Sequence, residues 1–270
     1  MHRRQFLGSA LALAGAGAIG GLTGAYALEQ IADMNDAINK SGRQRMLSQR
    51  LAKGYLQIGQ GIAPEQSKKI VAASLTLFET QLAELKSYAP TPENRATLDD
   101  AGRVWLAFKE ALTRSTPNQQ DAKAILVLNE DVLALAQAAT VQLERASGSA
   151  TGRLVNLAGR QRMLSQRMAK FYQAVNWGIA PADAPAKLAQ ARKEFIAALA
   201  ELAAAPKNTA QINGEIALVQ QQWAFFDNAL GAVAGAGGAD KAKLATNVAT
   251  TSERILETMD GITGMYEKLA

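Results

Sequence analysis

Cysteine is missing from all 270 residues, and histidine occurs once, at position 2. No disulfide can form, and no thiolate metal site, Cys or His nucleophile or Glu-x-x-His di-iron site can be built. Metal and catalytic roles are therefore both read as none. Aromatics make up 6% of the chain and prolines number 7, while alanine is abundant. Runs of β-branched and aromatic residues are scarce, so the expected fold class is all-α. The formal charge is +5. It falls to +3 if residues 1–27, which carry Arg3 and Arg4 and no acid, are removed. That excess is too small to argue for nucleic acid as a partner.

The first residues suggest a compartment. His2-Arg3-Arg4-Gln5-Phe6-Leu7 precedes a Gly/Ala-rich apolar run, and Ala25-Tyr26-Ala27 gives an A-x-A cleavage pattern. Residues 1–27 thus read as a twin-arginine export signal, and the rest of the chain as periplasmic. An uncleaved membrane anchor is the alternative, because the run approaches the roughly 20 residues of a spanning helix. No segment after residue 27 reads as a membrane span.

What dominates the chain is an internal repeat. GRQRMLSQRLAK, Gly42 to Lys53, returns as GRQRMLSQRMAK, Gly159 to Lys170, with only Leu51 and Met168 differing. The same exit follows each copy, Gly61-Ile62-Ala63-Pro64 and Gly178-Ile179-Ala180-Pro181. Trp105 matches Trp223 and Asn129 matches Asn247, both one residue further apart than the motifs. The chain is a duplication, with one unit over 28–146 and a second over 147–270.

Each unit reads as four helices. The first set spans about 29–60, 64–88, 93–114 and 119–146; the second about 150–177, 181–204, 208–231 and 239–269. Short connections make consecutive helices antiparallel, so two tandem antiparallel four-helix bundles are expected. The link Ser147 to Gly152 is small and glycine-bearing. A turn there lays the bundles side by side as a pseudo-dimer, whereas a continuous helix stacks them end to end. The glycines favour the turn.

A helical wheel over 31–58 separates the motif arginines. Leu47, Leu51, Gly54 and Ile58 form one apolar face. Ile31, Met34, Ile38, Gly42, Arg45, Gln49, Ala52 and Leu56 form a second, nearly opposite, so the helix is buried on both sides. Arg43 and Arg50 fall on a polar stripe with Asn39 and Gln57. In the second unit Arg162 shares a face with Val155, Gly159, Gln166 and Ala169, while Arg160 and Arg167 point elsewhere. Arg43, Arg50, Arg160 and Arg167 read as solvated or paired with acids of neighbouring helices. Arg45 and Arg162 differ, because a guanidinium on an apolar seam is costly unless it is paired. Either carboxylates from other helices meet them, or both converge on one bound anion. No acid occurs from Ala37 to Pro64 to serve locally. A planar oxyanion suits the arginine fork. Gly42 and Gly159 would allow close approach. Met46, Met163, Trp105 and Trp223 read as core filling, and Tyr55 and Tyr172 as core or seam residues with hydroxyl partners.

DAINKSGRQRMLSQRLAKGY and LVNLAGRQRMLSQRMAKFY resemble the N-terminal domain of the type IV pilus chemotaxis transducer (PilJ-type) family. That domain is similar to the periplasmic sensor domain of the NarX and NarQ nitrate/nitrite sensor kinases. The resemblance implies a dimerising four-helix bundle in which one arginine from each subunit grips a nitrate. Those positions are Arg45 and Arg162 here, with Gly42 and Gly159 as the family glycine. Lys40 matches a lysine two residues earlier, where the second unit has Leu157. Lys40, Gln49 and Gln166 are expected secondary contacts. Both families continue through a membrane helix into a signalling module, which this sequence does not show. The expected role is an exported binding or sensing protein for a small oxyanion, nitrate or nitrite first, reporting to a membrane sensor, chemotaxis transducer or transporter. It would act as a monomeric pseudo-dimer or a homodimer, without cofactor. The alternative is a helical protein-interaction module of pilus or chemotaxis signalling that takes no small molecule.

Overall fold

The computed structural model describes residues 30–231 and 238–269. The export-signal reading of 1–27 lies outside the described residues. Eight helices follow in order: α1 Met34–Gln60, α2 Pro64–Tyr88, α3 Pro92–Thr113, α4 Gln119–Ser147, α5 Ala150–Asn176, α6 Ala184–Ala203, α7 Ala210–Gly231 and α8 Gly238–Glu267. The fold is all-α, as the composition implies.

Local chemistry sets most boundaries. The side chains of Asp33, Thr91, Asn118 and Ser149 each accept a backbone N–H three residues on, capping α1, α3, α4 and α5. Proline opens α2 and α3. Gly61 and Gly178 take φ of 70° and 74°, the left-handed geometry that ends α1 and follows α5. The two largest shifts of an expected start are at α1 and α6. α1 begins at Met34, leaving Ile31 outside it, because the Asp33 cap fixes the first turn. α6 begins at Ala184 instead of 181, because Pro181 to Asp183 form a turn closed by Ala184 N–H on Pro181 O, and Pro185 then sits in the first turn.

Within each set of four, the first helix packs on the second and fourth, and the third on the fourth. This is consistent with two four-helix bundles. The chain breaks at Gly148, the left-handed cap of α4, and Ser149, the cap of α5. α1 also packs along α5. A Cβ on Gly152 would meet Ile38 Cδ1 at 3.0 Å, and Asn176 Nδ2 donates to Gln60 Oε1 at 2.7 Å, so the two helices run parallel. Burial on both sides accounts for the two apolar faces of α1: nearly every residue from Ala37 to Gln57 is buried.

α4 corrects one expectation. Its composition and length are those of a membrane-crossing helix, with a window of mean hydropathy 1.5. Here Ile125, Leu126, Val132, Ala139 and Leu143 belong to the core cluster.

The duplication is visible in three dimensions. Phe78 stacks on Trp105 at 3.8 Å with Phe108 edge-on; Phe195, Trp223 and Phe226 repeat the arrangement at 4.5 Å. The fourth helices keep a different register. Glu130, Gln137 and Glu144 of α4 occupy the places of Glu253, Asp260 and Glu267 of α8, as their matching partners below show. Five extra residues therefore fall between Trp223 and Glu253, one in the α7–α8 connection and four in an earlier start of α8. The match of Asn129 with Asn247 is thereby overturned: Ser252 stands where Asn129 does, each bonded to the motif lysine of the other repeat.

Candidate functional site

Arg45 and Arg162 are both fully buried. Their guanidinium groups converge beside the motif glycines. A Cβ added to Gly42 would lie 3.1 Å from Arg45 Nη2 and 3.6 Å from Arg162 Nη2. One on Gly159 would lie 3.1 Å from Arg162 Nη2 and 3.7 Å from Arg45 Nη2. Any larger residue would push a side chain into the space the two cations share. Both glycines lie within helices at ordinary helical geometry, so their lack of a side chain bears on the crowding of the guanidinium groups and not on backbone conformation.

Each arginine crosses to the other repeat. Arg45 Nη2 donates to Asn156 Oδ1 at 2.7 Å, and Arg162 Nη2 to Asn39 Oδ1 at 2.8 Å. Those asparagines are held in turn by acids of the fourth helices. Asn156 donates to Glu144 and Asn39 to Glu267. Carboxylate, amide and guanidinium thus form two matching relays. The helical wheel does not single out Asn39 or Asn156 as site residues, and it puts Asn39 on the polar stripe. The available signal was their common place three residues before the motif glycine.

The relays differ at one position. Arg162 Nη1 bonds to Asp260, a carboxylate. Arg45 Nη1 donates to Gln137 Oε1 at 2.7 Å, a neutral amide at the equivalent place. Carboxylate pairing therefore holds for Arg162, while Arg45 has only amide and carbonyl partners within hydrogen-bonding distance. Both Nε atoms are buried without a protein partner. Burial, then the neighbouring cations Arg160 and Arg162, pull the Arg45 guanidinium down to about 9, with Glu144 opposing. Burial pulls Arg162 down to about 10, with Asp260 opposing. Both remain charged at neutral pH.

The other motif cations are paired. Arg50 bonds to Glu253 and Arg43 to Asp260, both on α8; Arg167 bonds to Glu130 on α4 and Arg160 to Glu194 on α6. Lys53 and Lys170 are fully buried and donate to Glu253 at 2.5 Å and Glu130 at 2.7 Å. Lys40 faces away from the arginines, toward Asp36 at 3.3 Å and Glu84 at 3.1 Å. Gln49 and Gln166 are buried on the seam face, and the Oε1 of each lacks a protein partner. Tyr55 Oη accepts from Asn118 N–H at 3.3 Å.

Among the described residues no group of three or more His, Cys, Asp or Glu could hold a metal. Chemically, the seam offers two fixed, desolvated cations with spare donors and one internal counter-charge.

Comparison with known proteins gives one family and nothing finer. Neither curated proteins nor solved structures show a match. The family model described as "Type IV pili methyl-accepting chemotaxis transducer N-term" matches twice, over residues 26–141 and 142–251. The second boundary lies just before the helix break at Gly148. With its two motif copies, two Phe-Trp-Phe stacks and two relays, the chain belongs to the PilJ family and carries that N-terminal domain in tandem.

Proposed function

We propose that this PilJ-type sensor domain pair is an exported, non-catalytic binding protein for one small planar oxyanion, nitrate or nitrite first, held between Arg45 and Arg162. The two repeats serve as the two halves of a pseudo-dimer around that site. An extracytoplasmic setting agrees with the usual place of the family's N-terminal domains. The observation that carries the reading is the convergence beside two glycines of two fully buried guanidinium groups, only one of which, that of Arg162, is paired with a carboxylate. Two cations about 7 Å apart repel by roughly 2.4 kcal/mol at an effective dielectric of 20, and a monoanion between them reverses the sign. Unpaired Nε donors supply further hydrogen-bonding capacity. Gly42 and Gly159 add no side chain beside the guanidinium groups, and Gln49 and Gln166 border the same face. Occupancy would be reported to a membrane transducer or transporter.

The test is isothermal titration of the protein with nitrate, nitrite and chloride. One oxyanion per chain, lost in Arg45→Ala and in Arg45→Lys, supports the reading, since lysine keeps charge but not the fork. Affinity unchanged in Arg45→Ala and Arg162→Ala refutes it. The second reading, a protein-interaction module without small ligand, draws on the Arg162–Asp260 pair, which shows a seam arginine satisfied internally. Absence of heat with all three anions would favour it.

A further inference from the structure

The seam is flanked by two equivalent clefts that differ in charge. One, of about 320 Å³, lies between α4, α5 and α6; its ionisable lining comprises Arg160, Arg167 and Lys187 against Glu130 and Glu194. Its twin, of about 400 Å³, lies between α1, α2 and α8 and is lined by Arg43 and Arg50 against Glu253, Glu257 and Asp260. The first has an excess of one positive charge, the second an excess of one negative charge. Gln137 lines the first cleft and Asp260 the second, and each is the residue that closes on a seam arginine.

Resting on the oxyanion reading above, we propose that the α4–α5–α6 cleft is the port through which the anion reaches the seam, that Gln137 is its gate, and that Arg45 is the arginine that receives it. Gln137 is half-buried and reaches from the cleft to a fully buried guanidinium. Swinging it aside breaks a bond from Arg45 to a neutral amide. Displacing Asp260 breaks charge-assisted bonds to both Arg162 and Arg43 and exposes an anion to the incoming anion. The positive cleft attracts what the negative one repels. Arg162, already neutralised by Asp260, acts as a fixed second wall, and Arg45 supplies the uncompensated charge.

The experiment compares nitrate binding to the full chain and to matched variants, by titration for affinity and stopped-flow fluorescence for rates. Gln137→Glu gives Arg45 its own carboxylate, and nitrate affinity is expected to fall at least tenfold without loss of melting temperature. Asp260→Gln, the mirror change, is expected to keep or raise affinity. Ala134 and Glu257 are equivalent exposed positions lining the two clefts. Ala134→Trp is expected to slow association several-fold, and Glu257→Trp to leave it unchanged. Nitrate binding by the parent chain with equal losses in Gln137→Glu and Asp260→Gln, or equal rates in the two tryptophan variants, overturns the port and spares the oxyanion site. Absence of nitrate binding in the parent chain overturns both.

Discussion

Asn156 accepts a hydrogen bond from Arg45 across the boundary between the two repeats, at 2.7 Å, and is itself tied to Glu144 of the first repeat. The arginine and its partner are contributed by different halves of the duplication, so each repeat finishes the other's relay. Replacing Asn156 with Leu leaves a buried guanidinium short of one acceptor. We expect a loss of about 1–3 kcal/mol in urea unfolding. Asn39→Leu should cost less, because Arg162 keeps Asp260.

The acids on the outer sides of the seam make stability pH-dependent. Burial opposes ionisation of Glu130 and Glu253, but Lys170 and Arg167, and Lys53 and Arg50, outweigh it and hold each carboxyl at about 2. A folded-state pKa below the unfolded one means that the contribution is complete above about 4.5 and is lost as pH falls toward 2. Each acid contributes on the order of 3 kcal/mol by that linkage. Thermal melts from pH 6 to pH 2.5 should drop steeply below 4.5. In Glu130→Gln the drop should be shallower, from a lower starting point.

The two motif glycines can be separated from ordinary helical glycines. Ala at Gly42 or Gly159 meets a guanidinium nitrogen at 3.1 Å, close enough to displace it. Ala at Gly214, in the second turn of α7, meets nothing within 4 Å. Gly214→Ala should stabilise by roughly 0.5–1 kcal/mol through helix propensity. Gly42→Ala should forfeit that gain and weaken anion binding. Paired melts and titrations check both.

The contact of α1 with α5 can be trapped directly, because no native cysteine interferes. Gln60→Cys with Asn176→Cys places two thiols where the native side chains share a 2.7 Å hydrogen bond. A short bismaleimide should join them rapidly within one chain, giving a compact band shift on denaturing gels. Slow reaction, or products of doubled mass, would argue against this pairing.

Much of the architecture is legible in the sequence because it depends on local chemistry. Caps, prolines and positive-φ glycines mark the helix ends, and the doubled apolar faces of α1 signal burial on two sides. The position of Arg45 on a seam follows from the same wheel. What escapes is whatever depends on long-range register. Nothing near Gly159 tells that Asp260, 98 residues beyond Arg162, will pair with it. Matching the fourth helices by Asn129 and Asn247 fails because the residues added between Trp223 and Glu253, most of them in an earlier start of α8, shift the register invisibly. The wheel puts Asn39 beside Arg43, yet a residue at the edge of a stripe can still be covered by a neighbouring helix, and Asn39 is 5% exposed. Hydropathy alone cannot tell α4 from a membrane helix, since a core helix meets the same test.

The contrast between Gln137 and Asp260 has a genetic consequence. In a symmetric homodimer one codon is read into both halves, so a carboxylate gained at this position would arrive beside both arginines at once and cancel the pair. Here each half has its own codon. A single substitution can neutralise one arginine and leave the other charged, letting one half specialise in holding and the other in capture. Duplication within one gene therefore opens intermediate charge states that two identical subunits can never reach.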